Sequence, residues 1–143
     1  ENSRFERSRQ VLVVADEDQH YIRQVRKTFS ARFQIAAAPD TDGAQALLRQ
    51  YQDRVAVMLL SKSLPGEGAP FLMKLIRQNR ELWSVPVIVT GPADQNAERD
   101  ALVSGAADYA AKPHLQASLA KRVFHAIGLN ASRQAREQPA REA

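Results

Sequence analysis

Strand-like and helix-like hydrophobic periods alternate five times along this chain, and nothing else in it restricts the fold as much. The first unit is VLVVA at residues 11–15, a polar cluster, and then Tyr21, Ile22, Val25, Thr28 and Phe29 at helical spacing. FQIAAA at 33–38 is strand-like. Pro39 and Asp40 break it, and Thr41 or Asp42 can cap a helix carrying Ala44, Leu47, Leu48 and Tyr51 on one face. Residues 55–60 form the most apolar run. After the turn SLPGEGA, Pro70 stands where a first helical position tolerates proline, leading Phe71, Leu72, Leu75 and Ile76. VPVIV at 85–89 reads as a fourth strand, 96–104 as a weaker helix closed by Gly105, and 107–110 as a short fifth strand. A last helix at 115–127 carries Leu115, Leu119, Val123 and Ile127, with Gly128 just past its end.

Strands apolar on both faces and separated by helices imply a parallel sheet covered on both sides through right-handed crossovers. The expected architecture is a three-layer α/β/α sandwich around a five-stranded parallel sheet. Residues 1–9 read as an N-terminal extension and 10–128 as the domain. Residues 129–143, rich in Ala, Arg, Glu and Gln, read as a linker or a helical extension toward an output domain.

A length of 143 residues suits one self-sufficient domain. The chain has no cysteine, which excludes disulfides, thiolate zinc sites and a cysteine nucleophile, and fits a reducing compartment, the cytoplasm. Its longest apolar run falls far short of the ~18 residues of a membrane span. The net charge of +4 comes from basic residues scattered singly among acids, a solvated surface more than a nucleic-acid stripe. Neither a nucleic-acid nor a membrane partner is expected.

Polar residues fall at or just after the carboxyl ends of four strands: Asp16 with Glu17 and Asp18, then Ser61, Thr90 and Lys112. In a doubly wound sheet these ends meet in one crevice. Acids there can hold Mg²⁺ through oxygen ligands, while a hydroxyl and a lysine neutralise phosphoryl oxygens.

With the segments VLVVADED, MLLSKSLPG, PVIVTG and GAADYAAKP in this order and spacing, the chain resembles a response-regulator receiver (CheY-like) domain over residues 11–127. The resemblance implies a flavodoxin-like (βα)5 fold with strand order 2-1-3-4-5. It implies that Lys112 contacts a phosphoryl group, that the Thr90 hydroxyl follows it, and that Tyr109 is the aromatic switch. Asp16 would be a metal-binding acid, and the Lys112-Pro113 bond is often cis in this family. The acidic turn has two registers, Ala15-Asp16 with one acid of the pair lost, or Asp16-Glu17 with both kept. The second is preferred here and leaves Asp18 to cap the first helix.

Counted back from Leu64-Pro65, Ser61 takes the place of the family's phosphoacceptor aspartate, with Lys62 and Ser63 following. A serine hydroxyl forms no acyl phosphate and offers Mg²⁺ a neutral oxygen, so Mg²⁺ binding is expected to be weak or absent and no other cofactor is implied. Plainer roles stand beside the family's. Lys112 can pair with Asp16 or Glu17, Thr90 can cap the turn before Pro92, Tyr109 can be fixed packing, and His20, His114 and His125 can be solvated or capping.

The expectation is a non-enzymatic, phosphorylation-independent receiver. It would act as an interaction or dimerisation module through helix 4, strand 5 and helix 5, fused to an output such as a diguanylate cyclase, a cyclic-di-GMP phosphodiesterase or a histidine kinase. Two alternatives are a conventional receiver using another acid, Asp53 or Glu67, and a flavodoxin-like FMN domain. Against the second, ADEDQH is acidic where a phosphate-binding loop offers hydroxyls and bare amides.

Overall fold

All five apolar runs become parallel strands: β1 (Val11–Ala15), β2 (Gln34–Ala38), β3 (Val55–Ser61), β4 (Val87–Pro92) and β5 (Asp108–Lys112). The computed structural model describes residues 10–142, with 132–142 by backbone alone; the N-terminal extension read at 1–9 lies outside the described residues. The strands lie in the order β2-β1-β3-β4-β5, as the resemblance implied.

Five helices follow the strands: α1 (Gln19–Phe29), α2 (Thr41–Tyr51), α3 (Gly68–Gln78), α4 (Gln95–Val103) and α5 (Gln116–Glu142). They divide between the two faces of the sheet. Val11, Val13 and Ala15 of β1 point into a core shared with Ala44 and Leu48 of α2, Leu72 and Ile76 of α3 and Ala97 of α4. Leu12 and Val14 point the other way, onto Tyr21, Val25 and Phe29 of α1 and Leu119 and Val123 of α5. Every residue of β1 and β3 is therefore buried, which is why their sequences show no alternation. Each large side chain so buried contributes about 1.5–3 kcal/mol relative to exposure.

Several local expectations need correction. Asp40, not Thr41 or Asp42, caps α2: its backbone is extended and its carboxylate accepts from the Gly43 N–H at 2.8 Å. Thr41 is committed elsewhere, its Oγ1 donating to Pro65 O at 2.7 Å and accepting from Gly68 N–H at 2.8 Å. Pro70 is the third residue of α3, which begins at Gly68. Strand β4 starts two and ends three residues later than expected, Pro86 belonging to the approach and not to the ladder, and β5 starts one and ends two residues later. Leu115 precedes α5 and is 75% exposed; Ala126 takes its expected place beside Leu119 and Val123.

The largest departure is at Gly128. It does not end α5, which runs through it to Glu142, so 129–142 is helical. Glycine stops a helix where the chain turns left-handed, as at Gly105 with φ +104°, and Gly128 has no such φ. No described helix is long and apolar enough to cross a membrane.

Candidate functional site

Asp16 leaves β1 at the carboxyl edge of the sheet and is almost wholly buried, at 1% exposure. Each of its two carboxylate oxygens has a partner. Oδ2 accepts from Lys112 Nζ at 2.6 Å, and Oδ1 accepts from the Asp18 N–H at 2.8 Å. Asp18 in turn caps α1, its own carboxylate accepting from the His20 and Tyr21 N–H groups at 2.9 and 3.3 Å. One turn thus sets both the buried acid and the start of α1.

Lys112, at the end of β5, also lies over the face of Tyr21, with Nζ 4.1 Å from the ring centroid. A desolvated ammonium is attracted by the negative face of an aromatic ring, so the carboxylate and the ring hold it from two sides. The Tyr21 hydroxyl meets His114 Nε2 at 2.9 Å, and His114 Nδ1 lies 2.9 Å from Ala111 O. A carbonyl only accepts, so Nδ1 carries a proton, and in the tautomer that leaves Nε2 bare that nitrogen accepts from the Tyr21 hydroxyl. Burial pushes the Tyr21 phenol above its ordinary pKa, and the Asp16 charge adds to this, so Tyr21 stays a donor. The bond that brings His114 back to the crevice, Lys112-Pro113, is cis.

Ser61 and Thr90 are cross-strand partners on β3 and β4. Ser61 is buried at 3% and its Oγ accepts from the Ser63 N–H at 3.2 Å, closing its own turn. Thr90 is buried at 1%, and its Oγ1 has no hydrogen-bond partner among the described residues. It therefore does not cap the turn before Pro92. Tyr109 lies inward in the core, its hydroxyl donating to Pro92 O at 2.6 Å. Burial first, then the carboxylates of Asp94 and Glu98, raise its phenol pKa. Gly91 makes the space: a Cβ there would stand 2.5 Å from the Tyr109 hydroxyl oxygen.

The structure thus brings Asp16, Ser61, Thr90 and Lys112 to one edge and leaves Glu17 out. Glu17 is exposed, while Ala15 is the buried last residue of β1, so the geometry follows the Ala15-Asp16 register and not the preferred Asp16-Glu17 one. β1 ends at Ala15, so Asp16 and Glu17 lie in the turn beyond it, where Asp16 faces Lys112 and Glu17 is left to solvent. Asp53 sits exposed in the 3-10 turn Gln52–Arg54, before β3 and so at the opposite edge of the sheet. Glu67 is exposed and its side chain makes no capping bond to α3. Tyr21 and His114 are the site residues that sequence reasoning missed. Tyr21 read only as a core position, and His114, expected to be solvated or capping, is instead tied at both ring nitrogens.

A doubly wound α/β sheet whose strand ends gather an acid, two hydroxyls and a lysine defines a class of crevice proteins. Within that class the chain belongs to the response regulator receiver domain family, whose model matches residues 11–124. Among solved structures it is similar to a response regulator receiver domain protein from Clostridium thermocellum (15% identity, 85% of this chain and 97% of that one, TM-score 0.76). It is also similar to an adenylate cyclase from Rhodopirellula baltica (14%, 94% and 99%, TM-score 0.81). A third is the receiver domain of a signal transduction histidine kinase from Syntrophus aciditrophicus (16%, 83% and 90%, TM-score 0.72). At these identities the likeness concerns the fold. No curated protein matches the chain.

Proposed function

We propose that this receiver domain signals without accepting a phosphoryl group. The observation that carries the reading is the state of the crevice: a buried serine closes its own turn at the end of β3, and the one buried carboxylate among the described residues already has Lys112 on one oxygen and a backbone N–H on the other. A nucleophile for an acyl phosphate would have to be a carboxylate, and β3 ends on a hydroxyl. The donor set also fits Mg²⁺ poorly. A hard dication seeks several anionic or carbonyl oxygens, and among the described residues no group of three or more acids or histidines gathers. Lys112 supplies the counter-charge that Asp16 needs.

In this reading the domain acts through contacts. The surface of α4, β5 and α5 is the proposed interface with a partner or a second copy, and Leu102 and Val103, exposed at the end of α4, provide apolar area there. Helix α5 would pass the state of that surface to an output unit. Fusion to an enzymatic output agrees with two of the structural neighbours, one described as an adenylate cyclase and one as part of a histidine kinase. The test is incubation with acetyl phosphate and Mg²⁺ followed by intact mass. No adduct is expected, and a mass gain of one phosphoryl group on an aspartate or glutamate would overturn the proposal.

A further inference from the structure

Basic residues that recur singly along the sequence are gathered by the fold on one side of the sheet. No acid occurs from residue 19 to 39 or from 109 to 136, and these stretches supply α1, the turn after it, β2 and the described side chains of α5. Helices α1 and α5 pack side by side: Thr28 Oγ1 lies 3.1 Å from Gln116 Oε1, and the Phe124 ring lies 6.3 Å from that of Phe29. The helices on the other face of the sheet mix both signs, with Asp42, Glu98 and Asp100 among their exposed residues.

The α1 and α5 layer carries Arg23, Arg26, Lys27, Arg32, Lys121 and Arg122. Arg122 is paired with Asp108 at 2.8 Å, and Arg26 donates to Ile35 O at 3.5 Å. The other four are exposed and have no hydrogen-bond or ion-pair partner among the described residues. Arg23 and Lys27 stand four apart and share the outward side of α1. Arg32 is set most specifically. Its guanidinium lies over the Phe124 ring, 4.9 Å from the centroid, and Phe33 stacks against the same ring at 5.9 Å and 21°. Stacking fixes the plane of a guanidinium and leaves its N–H fork unspent, the geometry in which arginine takes a carboxylate bidentately. Lys121 is three residues before Phe124, a neighbour one turn away on the helix surface.

We propose that the α1 and α5 face docks an acidic segment of a protein partner. Its carboxylates meet Arg32, Lys121 and Lys27, and an aliphatic side chain covers the part of Phe124 that is 37% exposed. Charge complementarity carries the choice, since unpaired cations with no acid beside them select an anionic occupant. A second copy presenting the same face would set like charges against like, which disfavours a symmetric dimer through it. A nucleic-acid strand is held by bases stacked on aromatic side chains, and the rings here are engaged with one another and with Arg32. The face is also separate from the surface of α4, β5 and α5, because Phe124 and Arg122 point about 160° apart around α5.

The full chain is titrated into a fluorescein-labelled peptide of four Glu-Glu-Leu-Ala repeats, following fluorescence anisotropy. Parallel arms use the same peptide with glutamine in place of glutamate, a labelled single-stranded oligodeoxythymidylate, and phosphatidylglycerol vesicles read by cosedimentation. Expected is saturable binding of the acidic peptide, at least about tenfold tighter than of the glutamine peptide or the DNA, with no partition to the vesicles. Arg32→Gln combined with Lys121→Gln weakens it about tenfold. Lys74→Gln combined with Arg80→Gln removes the same charge from the α3 side and changes it by less than about twofold. Both double variants keep the circular dichroism spectrum. Equal weakening by the two pairs, which is the mark of net charge alone, equal affinity for the glutamine peptide, or preference for DNA or vesicles would overturn the proposal. None of these readouts depends on phosphorylation, so they fail or succeed separately from the reading of the crevice.

Discussion

At the residue scale the decisive contact is Asp16 with Lys112, because it determines what the crevice can hold. Lys112→Met strands a carboxylate of 1% exposure with a single N–H donor, an expected loss of about 1–3 kcal/mol read from the urea midpoint. The double variant with Asp16→Asn should recover part of it, since no charge is then left unpaired. Tyrosine in an unfolded chain ionises near pH 10, and Tyr21 and Tyr109 are both raised in the fold. Their contribution is therefore complete below pH ~10 and lost as pH rises through the folded values. The urea midpoint should fall above pH ~10, and Tyr21→Phe should flatten that fall. The acid, the hydroxyls and the lysine were legible in the sequence because each follows an apolar run. The Tyr21–His114 bond was not, since it joins residues 93 positions apart that share no spacing. The one available signal was proximity: His114 stands two residues past Lys112, and Tyr21 three past the cap Asp18.

Elements were legible where burial is two-sided or a cap is unique. β1 appears with the expected ends because both of its faces are covered and Asp16 stops the run. At α2, by contrast, Asp40, Thr41 and Asp42 are all competent caps, and only the backbone chooses among them: Asp40 is extended, with φ −151° and ψ 175°. Asp40→Ala should cost about 1 kcal/mol, with Asp42→Ala near neutral, by thermal or urea denaturation. Gly128 was misread because a glycine near the end of an apolar stripe looks like a stop. Its Cβ position is open, with nothing within 4 Å, so Gly128→Ala should stabilise α5 by about 0.5–1 kcal/mol and raise helical ellipticity.

For the whole molecule, the sheet separates two edges with different chemistry. At the crevice edge every buried side-chain polar atom of the described residues has a partner except the Thr90 hydroxyl, and the opposite edge carries the cavity between 83–86, Gly105 and α5. The α4, β5 and α5 surface runs between them. If that surface joins two copies, sedimentation should show a concentration-dependent dimer, and Val103→Glu, at a position 81% exposed, should return the monomer with its circular dichroism spectrum unchanged. A monomer at all concentrations would remove the self-association half of the proposal and leave a different partner.

The length of α5 has a geometric consequence. Twenty-seven residues at about 1.5 Å each make a rod of roughly 40 Å, and among the described side chains Leu119 to Ile127 pack it against the sheet. Each added residue turns the end of the rod by about 100° in azimuth, so the proposed coupling to an output unit should depend on phase: an insertion of seven nearly restores the original heading, while one of five turns it to the far side.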